Sequence, residues 1–251
     1  MKKWRMNFRF VLHLFFMALP FFYSDAVQPG DNQLVLNEET SKHVVQVLRM
    51  QNGDQLNLTD GKGNLFRAEI TDGHKKRCAV KVLSEKYQEP SGKKISIAIS
   101  PLKNSNRFEW FLEKATEIGI NEIIPLICDR TEKQHVRMER LHGILISAML
   151  QSQQCWLPVL QEPVKFGKFV PLAYEGEKFI AHCEEESKEP IFSKLNNKLA
   201  NKLILIGPEG DFTKDEIKLA LSENFIPVSL GNTRLRTETA GVVSAVFLSN
   251  S

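Results

Sequence analysis

Cysteine is scarce and scattered: Cys78, Cys128, Cys155 and Cys183 form no C-x-x-C pair and no dense framework. That excludes the stapled scaffold of small secreted domains, and the expectation is four reduced, mostly buried thiols. The six histidines show no H-x-x-x-H and no His/Cys spacing, so no metal site is expected. There is no G-x-x-x-x-G-K, and no G-x-G-x-x-G follows a strand-like run, which removes the P-loop and the dinucleotide fingerprint. The G-x-S-x-G elbow of hydrolases is missing, and no internal repeat is visible.

What is present is an ordinary globular composition. Of 251 residues, 42% are hydrophobic and 25% charged, which argues against wholesale disorder, collagen and a polytopic membrane protein. The length suits two domains of modest size.

The formal charge of +3 looks mildly basic, but its location undermines that reading. Lys2, Lys3, Arg5 and Arg9 lie within the first 16 residues beside no acid, so the other 29 basic residues face all 30 acidic ones. A polyanion site must therefore be a local patch. The same segment is ambiguous in another way. Residues 10–16, with Leu19, Phe21 and Phe22, resemble a signal-peptide core, and Ser24-Asp25-Ala26 offers a cleavage site. The run is too short, and too interrupted by His13 and Pro20, for a transmembrane helix. In a rival reading Met17 is the start and residues 1–16 are an upstream extension.

Val44, Val45, Val47 and Leu48 have helical spacing and predict a short helix over 37–50, capped by Asn37. Runs at 55–60, 64–70 and 77–83 alternate in part and are separated by Asp60-Gly61-Lys62-Gly63 and Asp72-Gly73 turns, a small β-barrel or meander. Residues 86–94 break the pattern as a linker. After it, strands at 95–100, 122–127, 178–182, 203–206 and 227–230 alternate with helices at 104–118, 138–153, 213–221 and 237–248. That rhythm implies an α/β domain with a mostly parallel sheet covered on both faces. The acidic 184–190 stretch reads as a solvated loop after a strand's carboxyl end.

Ligands of open α/β sheets bind beyond strand carboxyl ends. Two such ends stand out. Ile206-Gly207-Pro208-Glu209-Gly210 leads to Thr213, whose Glu216 completes a T-x-x-E capping box; the glycines allow close backbone approach to a ligand, or the segment is merely a turn before a capped helix. Leu230-Gly231-Asn232-Thr233-Arg234-Leu235-Arg236-Thr237-Glu238-Thr239-Ala240 places two arginines and a glutamate at a helix start, either to orient an anion or nucleobase or as a surface salt bridge. Lys103, Arg107 and Lys114 on the 104–118 helix are candidates for phosphate, with a solvated face as the plain alternative.

Together these segments resemble the ribosomal RNA small subunit methyltransferase E family, over residues 19–248. The resemblance rests on Pro20-Phe21-Phe22-Tyr23, on His43 with Val47-Leu48-Arg49, and on Thr59-Asp60-Gly61-Lys62-Gly63. Lys114-Ala115-Thr116-Glu117-Ile118-Gly119, Gln151-Ser152, the G-P-E-G run at 207–210 and the L-R-T-E-T-A run at 235–240 complete it. It implies an N-terminal PUA-like RNA-binding barrel over 17–88, a linker at 89–94 and a SPOUT domain over 95–251 with a deep trefoil knot. It also implies transfer of methyl from S-adenosylmethionine to N3 of a uridine in 16S rRNA, with the small subunit as partner, in a cytoplasmic homodimer that does not use a membrane. The implied cofactor residues are Ile206, Gly207, Gly210, Leu230, Gly231, Leu235, Arg236, Thr239 and Ala240. Placement at the start of the last helix makes Glu238 the candidate proton acceptor and Arg236 its charge-stabilising partner, and His43, Arg49, Lys103, Arg107 and Lys114 are the candidates for RNA contacts.

The chain departs from the family pattern where Asp211 replaces a common second glycine, at Gln46, and at Gln153, Gln154 and Cys155, where a basic residue is usual. Asp211 makes an RNA-binding or assembly protein without methyl transfer the alternative function. Pro20-Phe21-Phe22-Tyr23 should form a barrel strand that cleavage after Ala26 would remove, which favours the cytoplasmic reading.

Overall fold

A computed structural model describes residues 19–172, 175–184, 188–195 and 201–250. The candidate leader at 1–16 and Met17 lie outside them. The chain divides into two compact units, residues 1–88 and 89–251. Among the described residues no helix is long and apolar enough to cross a membrane.

The first unit holds a five-stranded sheet of β1 (Phe21–Tyr23), β2 (Gln33–Val35), β3 (Gln55–Thr59), β4 (Asn64–Asp72) and β5 (Ala79–Tyr87), in the order β1-β3-β4-β5-β2. β1 runs parallel to β3 and the other pairs are antiparallel. The Pro20-Phe21-Phe22-Tyr23 segment is thus an edge strand, and Phe22 enters the core with Leu56, Leu58, Phe66 and Val80. The T-D-G-K-G motif turns β3 into β4: Asp60 accepts backbone N–H bonds from Lys62 and Asn64, while Gly61 and Gly63 take positive φ.

The helix expected over 37–50 is shorter and changes character. Asn37 caps α1 (Glu38–Lys42) through the Thr40 N–H, as its side chain predicts. A π-turn then spans His43–Val47, closed by the Leu48 N–H on the His43 carbonyl, and Arg49 at φ 56° ends it. Three valines in four positions restrict side-chain freedom against the preceding turn, which weakens the regular helix there.

The second unit is α/β. Its strands are β6 (Lys94–Ile99), β7 (Glu122–Ile127), β8 (Val159–Leu160), β9 (Val164–Lys165), β10 (Glu177–Ala181), β11 (Glu189–Pro190), β12 (Asn201–Ile206) and β13 (Ile226–Ser229). Every pairing is parallel, in the order β11-β13-β10-β12-β6-β7-β8, with β9 beside β7. Residues 189 and 190, read from sequence as solvated loop, therefore belong to an edge strand. Alternation sends side chains to opposite faces. Ile95, Ile97, Ile99, Ile204 and Ile206 pack under α2 (Ser105–Ile118), α3 (Met138–Gln151) and α7 (Thr237–Ser249). Ala98, Ile180, Leu203 and Leu205 face the other layer, built on α4 (Phe166–Phe169) and α6 (Lys214–Ser222). A further short helix, α5 (Ile191–Lys194), buries Ile191 in the first layer.

One crossover positions the site. The chain leaves β10 for the edge at β11, returns to β12 on the other side of β10, and then inserts β13 between β10 and β11. The carboxyl ends of β12, β10 and β13 are consequently neighbours.

Candidate active site

A cavity of about 310 Å³ opens over the carboxyl ends of β10 and β12 and the segment that leads from β13 into α7. Ala181 ends β10 and Cys183 follows it, Ile206 ends β12 and Gly207 to Glu209 with Asp211 follow it, and Arg234 to Glu238 with Ala240 leads into α7, while Arg107 reaches in from α2. The volume falls at the lower end of the range for small-molecule sites.

Both turns are braced. The Thr237 hydroxyl donates to the Gly207 carbonyl at 3.0 Å, joining the turn after β12 to the start of α7. Gly207 has little room, since a Cβ there would stand 3.2 Å from the Phe212 ring. Arg130 Nη1 donates to the Gly210 carbonyl at 2.7 Å. The predicted capping box is formed: Thr213 caps α6 with Glu216, whose other oxygen accepts the Asp129 N–H at 2.9 Å. Asp211 explains its own departure from glycine. It sits at φ 64°, a conformation that favours glycine and that Asp tolerates better than most residues. Its carboxylate accepts the Cys183 N–H at 2.7 Å and the Phe212 N–H at 2.8 Å, tying the β10 and β12 loops together.

The charged centre is Glu238. It is 7% exposed, and its Oε2 has no hydrogen-bond partner among the described residues. Its Oε1 lies 3.7 Å from Arg107 Nε, an ion pair without a well-formed hydrogen bond. A buried carboxylate oxygen left without a donor is costly unless a ligand supplies one.

Of the residues named from sequence, Ile206, Gly207, Leu235, Arg236, Ala240, Glu238 and Arg107 line this cavity. Gly210, Leu230, Gly231 and Thr239 are not among its lining residues. Gly210 is engaged by Arg130, and Leu230 packs on the apolar core. Gly231 accepts from the Ser229 hydroxyl at φ 150°. The sequence reading did not assign Ala181, Cys183, Pro208, Glu209, Asp211 or Thr237 to the site, and it raised Arg234 only as one of two arginines that could orient an anion or nucleobase. Cys183 was within reach of the rule applied to β12 and β13, because it too follows a strand's carboxyl end.

The cations expected to meet RNA are differently occupied. Lys103 pairs with Glu132 at 2.8 Å, and Lys114 is held by Glu113 at 2.7 Å and Glu117 at 3.0 Å. His43 stacks edge-on against Phe22 at 5.7 Å, and Arg49 is exposed, both in the first unit. At the Gln153-Gln154-Cys155 departure, the Gln154 amide donates to the carbonyls of Thr116 and Glu117, covering the end of α2. No disulfide joins the four cysteines; Cys183 is exposed and the others are buried.

Residues 89–249 match the family model of the RNA methyltransferase domain, and residues 36–83 match that of the RNA methyltransferase PUA domain. The ribosomal RNA small subunit methyltransferase E of Synechocystis is 33% identical over 80% of this chain and 68% of its own length. A methyltransferase structure from Legionella pneumophila, determined with bound SAM, is 32% identical and superposes with a TM-score of 0.82 over 92% of this chain and 97% of that one. The small subunit methyltransferase E of Neisseria gonorrhoeae bound to S-adenosyl methionine is 26% identical, with a TM-score of 0.82 over 91% and 95% of the two chains. The chain is a methyltransferase belonging to the ribosomal RNA small subunit methyltransferase E family.

Proposed function

We propose that this protein transfers methyl from S-adenosylmethionine to N3 of a uridine in 16S rRNA, on the small ribosomal subunit or its RNA. The observation that carries this reading is the cavity joining two glycine-bearing turns to a buried carboxylate with an unpartnered oxygen. Ile206, Gly207, Leu235, Arg236 and Ala240 would hold the donor, with Gly210, Leu230, Gly231 and Thr239 supporting the turns from behind. The donor supplies an electrophilic methyl on a sulfonium, to be attacked in line at about 3 Å. Uracil N3 carries a proton and is buried in pairing, so the base enters unpaired or flipped. As N3 bonds to the methyl carbon the carbon–sulfur bond would break and its electron pair leave with sulfur as S-adenosylhomocysteine; Glu238 takes the N3 proton, and Arg236 balances negative charge developing on the uracil oxygens.

RNA contacts are assigned to His43, Arg49, Lys103, Arg107 and Lys114, of which Lys103 and Lys114 would have to exchange a carboxylate for a phosphate. The SPOUT reading includes a deep trefoil knot, which the insertion of β13 between β10 and β11 supports. A homodimer in the cytoplasm completes it; Trp110 on α2 and Val246 on α7 are exposed on two packed helices and suit such an interface. Mass spectrometry of 16S rRNA from cells with and without the protein tests the reading. One methylated uridine should vanish with the protein, and an unchanged modification profile contradicts it.

A further inference from the structure

A second cavity, of about 500 Å³, lies beside the donor pocket. The turn after β6 runs against the donor loop, since the Ser100 N–H bonds the Ile206 carbonyl at 3.0 Å. The first turn of α2 then divides the two spaces: Arg107 lines the donor pocket, while Ser105, Asn106 and Phe108 line the second cavity. A helical turn is about 5.4 Å, so the two spaces are within reach of adjacent parts of one ligand.

The second cavity is amphipathic. Leu102, Phe108, Val136 and Leu141 supply apolar wall, and Lys133, Arg137 and Arg140 supply cations, with the His135 imidazole among them. Its one carboxylate, Glu109, is already satisfied by a two-pronged Arg140 contact at 2.6 and 2.8 Å. Lys133 donates to the Ser105 hydroxyl. The side chains of His135 and Arg137 make no hydrogen bond or ion pair among the described residues, and both are exposed at the rim. Lys133, Arg137 and Arg140 thus face one carboxylate. This contrasts with Lys103 and Lys114, whose charges are matched by neighbouring glutamates.

We propose that this cavity seats the ribose-phosphate of an RNA nucleotide flanking the target base, its phosphate held by Arg137, His135 and Lys133 and its sugar or base resting on Phe108 and Leu102. The proposal deepens the methyl-transfer reading and rests on it for the identity of the neighbouring pocket. Phosphate contacts fix register while carrying no sequence information themselves, so this site would set which base faces Glu238.

The test uses the full chain and a labelled, single-stranded, uridine-rich RNA heptamer, titrated across a salt series. The double substitution His135→Ala with Arg137→Ala should weaken RNA binding at least about tenfold and flatten the slope of log affinity against log salt by about 1. Arg137→Lys should keep most of the affinity that Arg137→Ala loses, which a merely structural role would not produce. Calorimetry with S-adenosylmethionine should give the parent's affinity in every variant. Unchanged RNA affinity and slope in the double variant overturns the proposal, as does a lysine variant no better than the alanine one, or a parent that does not bind the heptamer. Inorganic phosphate binding that the double variant loses while RNA affinity stays constant marks a free-anion site and overturns it as well. Failure of the parent to bind S-adenosylmethionine is a separate result, which removes the donor reading and not the RNA one.

Discussion

The Thr237 hydroxyl bonds the Gly207 carbonyl across 30 residues of chain, so the first helical residue of α7 is fastened to the turn after β12. Both segments line the cavity proposed above for the donor. Thr237→Val keeps the shape and removes the bond. With a net hydrogen bond worth about 1 kcal/mol, calorimetry should show S-adenosylmethionine binding weakened about fivefold. Unchanged donor affinity would mean that the two turns are held together by packing alone.

Asp211 holds a positive φ and ties Cys183 to the β12 loop. Asp211→Gly relieves the backbone and loses only the carboxylate bonds. Asp211→Ala loses those bonds and adds the left-handed penalty of about 1 to 2 kcal/mol. Thermal unfolding should therefore rank parent above the glycine variant and the glycine variant above alanine. An alanine variant as stable as the glycine one would deny the conformational part of this account.

Gly241 is where α7 approaches α2 and β6. A methyl at Gly241 would stand 2.6 Å from the Phe111 ring and 2.9 Å from Ile99 Cδ1, both fully buried. Gly241→Ala is expected to destabilise by about 1 to 3 kcal/mol through overpacking, read as a melting temperature lowered by about 2 to 4 °C per kcal/mol. Retained stability would show that Phe111 can move aside.

Glu122 gathers the Ser96 hydroxyl at 2.7 Å, Lys94 at 2.9 Å and the Gln161 amide at 2.6 Å. Burial alone would raise its pKa, but the hydrogen bonds from Ser96, Lys94 and Gln161 outweigh burial and hold it below the ordinary value. A lowered folded pKa means the stabilisation is complete above the unfolded carboxyl pKa of about 4.3 and is lost as pH falls through the lower folded value. Chemical denaturation should find Glu122→Gln less stable than the parent by about 2 kcal/mol at neutral pH, with the gap closing in acid. A gap independent of pH would assign the loss to packing.

Much of the second unit was legible because its signals are local. β7 and α2 follow from an apolar run and from a helical stripe that includes Phe108, Phe111, Leu112 and Ala115. The turn after β12 was legible as a glycine at a strand end, and Gly207 lines the cavity there, whereas Gly231 after β13 does not. The insertion of β13 between β10 and β11 was not, because strand order depends on contacts remote in sequence. The two-residue strands β8 and β9 carry too few residues for a period. The pairing of Lys103 with Glu132 was invisible for a different reason: composition counts charges without saying which are already neutralised.

The most direct measurement is single-turnover transfer of labelled methyl from S-adenosylmethionine to small subunits isolated from cells lacking this protein, run with the parent and with Glu238→Gln. The parent should label 16S rRNA, and the variant should bind the donor equally well while transferring about 10² to 10⁴ times more slowly. A parent that transfers nothing contradicts the account at its root, and a variant as fast as the parent removes Glu238 as the proton acceptor.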